Sequence, residues 1–268
     1  YGVIESVVFS PVDEPFAEID DQQPGEVLLE TLPSWREMCE RVAEQLAIQH
    51  TDPFVLDTVI VPSAGHQRAL SQFLASRELQ GICAGIEFTT LPALRRDLAQ
   101  EYLDISPHLD PWRPRDLTVA IIKALDAVKA EPWFEPLAHH LDGCSASPTT
   151  GHEKNRRAVT ARRISTLYRG YWEHCPELID AWREGRDVGP DGSPLAPDQQ
   201  WQAKLWRELR DSIRIPDPLS RHYQLYDALF TQPWTRPGRM FALTVSRNSQ
   251  LDAELLFALT IRAGLRRW

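Results

Sequence analysis

The sequence predicts a doubly wound α/β fold, a parallel sheet core into which a large all-helical insertion is set. Three observations predict it. Strand-like and helix-like segments alternate between residues 57 and 102, the order that parallel βαβ units produce. From about 111 to 235 the periodicity is helical, with no strand-like run. A strand signal returns at 239–245 with a helix signal behind it, so the chain re-enters the sheet it left.

Residues 1–26 place Asp13, Glu14, Glu18, Asp20, Asp21 and Glu26 among three prolines and read as an acidic, flexible extension. The first part of the core, 27–110, opens on a short strand signal, Val27-Leu28-Leu29. Ser34 and Glu37 form a capping box ahead of Trp35, Met38, Cys39, Val42 and Leu46, which fall at helical spacing. That helix is expected to stop near Thr51-Asp52-Pro53. The β-branched run Asp57-Thr58-Val59-Ile60-Val61 has the composition of a strand buried in a parallel sheet. A tight turn, Pro62 to Gly65, leads to an amphipathic helix from Gln67 to Leu79, then to a strand over 82–88 and a helix over 91–102. The insertion, 111–235, carries helical patterns at 114–130, 155–175, 198–213 and 219–231, broken by Gly189-Pro190-Asp191-Gly192-Ser193-Pro194. The strand at 239–245 and a helix from Leu251 to about Ala263 make the return, 236–268. Tyr1 at the start, and Arg266-Arg267-Trp268 after an apolar run at the end, make the sequence read as a fragment.

With 268 residues, 43% of them hydrophobic and 25% charged, the chain has the make-up of a globular protein with a large core. A net charge of −9 argues against a free-standing nucleic-acid binder, which needs a surplus of Lys and Arg against phosphate. A local basic face, or a channel shared with partners, stays open. Cys39, Cys83, Cys144 and Cys175 are too far apart for the close-spaced ligands of a zinc site and read as reduced thiols of a cytoplasmic protein. No apolar stretch approaches the ~20 residues that span a bilayer, so no membrane contact is expected.

Residues 57–69 occupy the position of a P-loop, between a buried strand and a helix. A working P-loop wraps phosphates in backbone amides, grips them with a lysine and holds magnesium with the next hydroxyl. Here Ser63, Gly65 and Arg68 stand in a turn with one glycine and no lysine. The returning strand runs into Ser246-Arg247-Asn248 without a carboxylate to organise magnesium. His50, His66, His108, His139, His140 and His152 are scattered, and no nuclease carboxylate cluster or acyl-transfer elbow is present. No catalytic residue, metal ligand or cofactor is therefore expected in this chain. What remains is a basic cluster, Lys154, Arg156, Arg157, Arg162, Arg163 and Arg169, interleaved with Tyr168, Tyr171 and Trp172. Arginines for phosphates and aromatics for bases are the ingredients of a nucleic-acid track. The competing reading is a solvated helix face whose aromatics, with Leu167, point into the core. A second set, Arg207, Arg210, Arg214 and Arg221, lies near Trp206 and Tyr223 and has the same two readings.

Ser63, Gly65, Leu70, Gly81, Ile82, Ala84, Ile86 and Phe88 fall in register with an apolar strand, a Ser-x-Gly-x-x-x-x-Leu turn and helix, and Gly-Ile-x-Ala-x-Ile-x-Phe. In this the chain resembles the RecC family, the gamma subunit of exodeoxyribonuclease V. Tyr168, Tyr171, Pro176, Leu178 and Trp182 are similar to a second block of that family, and Trp201-Gln202-x-x-Leu205-Trp206 to a third. Ala69, His66, Thr89-Thr90 and Asn248-Ser249-Gln250 depart from the pattern, as in a divergent member. The resemblance covers residues 27–268 and the amino-terminal portion of a much longer subunit. It implies a helicase-like core, with the P-loop topology, that has lost its ATP site. It also implies a subunit that scaffolds an ATP-dependent helicase–nuclease complex with RecB-like and RecD-like partners, splits duplex ends and channels a single strand. The alternatives are a divergent P-loop nucleotide-binding protein and a free-standing protein-interaction module.

Overall fold

All strand pairing in the sheet is parallel, and it is built from short apolar runs. The computed structural model describes residues 34–48, 50–76, 82–142, 150–243 and 249–267. The acidic extension and the strand signal at 27–29 lie outside the described residues. Strand β1 (Asp57–Ile60) lies between β2 (Ile86–Thr89) and β3 (Met240–Ala242), and a two-residue β4 (Arg266–Arg267) pairs with β3. The order is β2-β1-β3-β4. β1 crosses to β2 through α2 (Ala64–Leu74), and β3 crosses to β4 through α10 (Gln250–Ala263). Between β2 and β3 run α3 (Leu91–Leu103), α4 (Pro114–Ala127), α5 (Glu135–Asp142), α6 (Thr150–His174), α7 (Pro176–Arg183), α8 (Trp201–Ser212) and α9 (Pro218–Thr231).

The two-residue period of the strands sorts side chains between two layers. Val59, Val61, Phe241 and Leu243 share a core with Met38, Cys39 and Val42 of α1 (Trp35–Leu46) and Leu70 and Leu74 of α2. Ile60, Met240 and Ala242 share the opposite core with Leu94 and Leu98 of α3, Leu225 and Leu229 of α9, and Leu255 and Leu259 of α10. A third core is purely helical, and its centre is aromatic. Trp206 stands 5.3 Å from both Trp112 and Tyr168 and 5.9 Å from Trp172, ring centre to ring centre. The Tyr168 and Tyr171 hydroxyls donate to the Gln202 carbonyl and its side-chain oxygen, and Trp182 Nε1 donates to the Val188 carbonyl, while the buried Trp206 Nε1 has no hydrogen-bond partner. The residues that carry the second and third blocks of the family resemblance are thus mostly core.

Several boundaries differ from the sequence reading. Helix α2 starts at Ala64 rather than Gln67, because the Ser63 hydroxyl accepts from the His66 amide and caps the helix. It ends at Leu74, short of Leu79, and residues 77–81 are outside the described set. Strand β2 begins at Ile86 rather than 82, since Gly85 at φ +74° interrupts the extended run. Helices α5 and α7 had no clear periodic signal, being eight residues each. Leu167, expected in the core, is 36% exposed.

The amino-terminal end of the sheet is closed by a polar clasp. Arg239, just ahead of β3, donates Nε and its backbone amide to Asp57 Oδ1 at 3.1 and 3.0 Å, and Nη2 to Asp57 Oδ2 at 2.5 Å. Its Nη1 and Nη2 also reach the Gln45 and Ile48 carbonyls, while His50 Nε2 lies 2.7 Å from Asp57 Oδ1. Burial alone would raise the Asp57 carboxyl, but the hydrogen bonds from Arg239 and His50 outweigh it and hold it below the ordinary value of 3.8. Gly238 enters this junction at φ +88°, where a Cβ would lie 2.1 Å from the Leu56 carbonyl oxygen, so only glycine fits.

Candidate nucleic-acid interface

The P-loop position is a short connection. Only residues 61–63 separate β1 from α2, and Ser63 Oγ is engaged with His66, 2.9 Å from its Nδ1. Gly65 lies inside the first turn of α2, where a Cβ would meet nothing closer than Ser63 Oγ at 3.5 Å. Its place therefore does not require glycine, as a close phosphate approach would. Arg68 is exposed one turn further on.

The basic cluster lies along α6, and the fold divides it. Arg157 is paired with Asp126 of α4, and Arg156 Nη1 donates to the Leu141 carbonyl. Arg169 stands 3.7 Å from Glu173. Arg162 and Arg163 are exposed and have no ion-pair partner among the described residues. Lys154 belongs to the first turns of the helix, and its side chain is outside the described set. The interleaved aromatics point inward: Tyr168 is fully buried and Trp172 is 7% exposed. The face that carries Arg162 and Arg163 therefore has cations for phosphates but no stacking rings from this set.

The second cluster is divided too. Arg207 pairs with Asp187, and Arg221 Nη1 and Nη2 grip Asp110 Oδ2 and Oδ1 at 2.9 and 3.1 Å. That second pair opens a view the sequence did not offer. Arg221 at the start of α9 lines a groove of about 690 Å³ with Arg95 and Arg96 of α3, Arg113 ahead of α4 and Arg169 of α6. The lining holds five arginines against two aspartates, Asp97 and Asp110, on a chain whose net charge is −9. Acidic neighbours temper it: Arg95 is paired with Asp252 and Arg113 with Asp116. Arg96 has no ion-pair partner among the described residues.

The groove's polar groups are incompletely used. Arg95 Nε, Arg221 Nε and His222 Nδ1 are buried without a hydrogen-bond partner. An orphaned buried polar atom costs roughly 1–3 kcal/mol; among the described residues two others, Trp206 Nε1 and Arg262 Nε, lie outside the groove lining. Guanidinium donors in a concave basic wall suit the oxygens of a phosphate chain. Sequence reasoning missed Arg95, Arg96, Arg113 and His222 because helices far apart in the chain bring them together. Arg169 was visible in the α6 cluster, and it joins that cluster to the groove. Among the described residues there is no group of three His, Cys, Asp or Glu that could hold a metal ion, and no helix is long and apolar enough to cross a membrane.

Comparison with known proteins places these features in context. A family model described as RecC, N-terminal domain, matches residues 34–263. The RecBCD enzyme subunit RecC of Mycobacterium tuberculosis is 31% identical over 230 residues, which cover 83% of this chain and 20% of that protein. The subunit of the same name from Mycolicibacterium smegmatis is 30% identical over 231 residues, covering 86% and 20%. The chain spans about a fifth of the length of these relatives.

Proposed function

The chain belongs to the RecC family, and from that premise we propose that it is part of a non-catalytic, DNA-handling and scaffolding subunit of a RecBCD-like helicase–exonuclease complex. Such a complex processes double-strand DNA ends for recombinational repair in the cytoplasm. The partners on this reading are RecB-like and RecD-like helicase and nuclease subunits, duplex ends and single strands, and no cofactor is held by this chain. The observation that carries the proposal is the five-arginine groove on an otherwise acidic chain, with guanidinium donors left unpartnered. A single strand would run along the exposed cations of α6, Arg162 and Arg163, past Arg169 and into the groove.

The reading extends to architecture. Residues 27–110 and 236–268 form a helicase-like core without an ATP site, and 111–235 form a helical insertion. The three-residue connection at 61–63, with its capped and occupied serine, supports the loss of nucleotide binding. Titration calorimetry with ATP and magnesium tests that part: no heat of binding is expected, and saturable binding at micromolar concentration would overturn it. The DNA-handling part is tested by binding of a forked duplex to the complex assembled with its partner subunits. The Arg162→Ala/Arg163→Ala pair is expected to weaken binding and to reduce the salt slope by about one per arginine. An unchanged slope would remove α6 from the DNA path.

A further inference from the structure

The acid surplus of this chain is concentrated in one segment. Residues 1–33 hold eight Asp and Glu and no Lys or Arg, a charge of −8 out of the chain's −9, so residues 34–268 carry only −1. The family match begins at residue 34, and the segment ahead of it lies outside the described residues. Its densest part is Val12-Asp13-Glu14-Pro15-Phe16-Ala17-Glu18-Ile19-Asp20-Asp21, in which carboxylates alternate with apolar side chains. Charge alone keeps a tail in water, whereas Val12, Phe16 and Ile19 are stabilised only where apolar surface covers them.

The groove offers the complementary surface. Between its arginines stand Pro92, Pro107, Pro114 and Pro218, and the buried Trp112 and Trp172 form part of the lining. Arg96 is exposed without an ion-pair partner among the described residues, and the Arg113 and Arg169 side chains are 40% and 43% exposed. The partners of the latter two, Asp116 and Glu173, lie three and four residues further along the chain. Exposed pairs of this kind are worth less than about 1 kcal/mol and exchange readily for another carboxylate. A phosphate chain meets the arginines but not the prolines; a peptide that alternates carboxylates with apolar residues meets both.

We propose that residues 12–21 dock in this groove, with carboxylates on Arg96, Arg113 and Arg169 and with Phe16 and Ile19 against the prolines, and that a DNA strand has to displace them. The tether allows it: residues 22–33 extend to about 40 Å, against a diameter of about 45 Å for a domain of this size. Tethering holds the segment at roughly millimolar effective concentration, so a docking affinity too weak to join separate molecules suffices. The docking stands on the groove's own surface. The competition rests on the groove being the strand's path, and the experiment separates the two.

The test uses the complex assembled with its partner subunits. Arg96→Lys keeps the charge and supplies an amine that a carbodiimide joins to a carboxylate in contact with it. Without DNA, mass spectrometry is expected to find an amide between position 96 and one of Asp13, Glu14, Glu18, Asp20 or Asp21, at a yield independent of dilution. Excess forked duplex is expected to remove it. Phe16→Ser/Ile19→Ser, which alters no charge, is expected to raise forked-duplex affinity about threefold to tenfold by freeing the groove. No amide at position 96, or one that fades on dilution and so joins two molecules, would overturn the docking. So would an affinity that rises when the five acids are changed to Asn and Gln but not in Phe16→Ser/Ile19→Ser, because charge repulsion alone explains that result. If the amide forms and survives excess duplex, the docking holds and the groove fails as the strand's path. If the amide is absent while Arg96→Ala still weakens duplex binding, the groove holds DNA and only the docking fails.

Discussion

Two arginine–aspartate pairs tie distant parts of this chain together, and they are not alike. Arg239 and Asp57 close the amino-terminal end of the sheet, and Arg221 and Asp110 line the groove. In the first pair each guanidinium nitrogen donates, to the carboxylate or to the Gln45 and Ile48 carbonyls. In the second, both terminal nitrogens grip Asp110 while Nε has no partner. The contrast separates an arginine whose donors are all used within the fold from one that leaves a donor unused. Proximity and charge alone do not distinguish them; the count of satisfied donors does.

The largest effect should come from breaking the finished pair. Asp57→Asn leaves the Arg239 guanidinium, whose side chain is 25% exposed, without its countercharge, and is expected to cost about 2–3 kcal/mol in urea unfolding. DNA affinity per folded molecule should not change. Arg221→Lys keeps the charge but loses the two-pronged grip on Asp110. It should cost about 1–2 kcal/mol in the same assay, while weakening strand binding more than stability alone explains. A stability loss as large as that of Asp57→Asn, with DNA binding intact, would put both pairs in the structural class.

The two regions also differ in their pH signatures. His222 in the groove is held below its ordinary 6.5, so the unfolded chain takes up that proton first as pH falls. Its contribution is complete above about 6.5 and declines as pH drops from there towards the folded value. Asp57 is held below its ordinary 3.8, so its contribution persists above that value and is lost as pH falls through the lower folded one. Stability measured against pH should therefore fall in two stages. His222→Gln should flatten the upper stage and Asp57→Asn the lower. One stage left intact in its own variant would show that another group is responsible.

The fold was legible where one segment carries its own signal. The β-branched run at 57–61, the Ser34 cap and the strand signal at 239–245 each combine composition with a flanking turn; β1 and the cap form as expected, and β3 covers Met240–Ala242, with residues 244–245 outside the described residues. The excursion between β2 and β3 was legible as helical, yet α9 also supplies Leu225 and Leu229 to the sheet-side core, a contact that no periodicity reveals. The α6 arginines were visible because they are neighbours in sequence. Their division was not, because Asp126, the partner of Arg157, lies 31 residues away. The groove was illegible for the same reason, since Arg95, Arg169 and Arg221 come from three helices. His222 offered no signal, because a lone histidine on an amphipathic helix looks the same whether or not its second nitrogen is satisfied.

On the proposed reading the groove, rather than the P-loop position, is where this chain meets DNA. The most direct measurement is the salt dependence of forked-duplex binding by the assembled complex, wild type against Arg96→Ala/Arg169→Ala, with Arg68→Ala as the control in the P-loop position. The account predicts that the groove pair lowers the slope of log affinity against log salt by about two, while Arg68→Ala leaves it unchanged. An unchanged slope for the groove pair, or a loss at Arg68 alone, would contradict it.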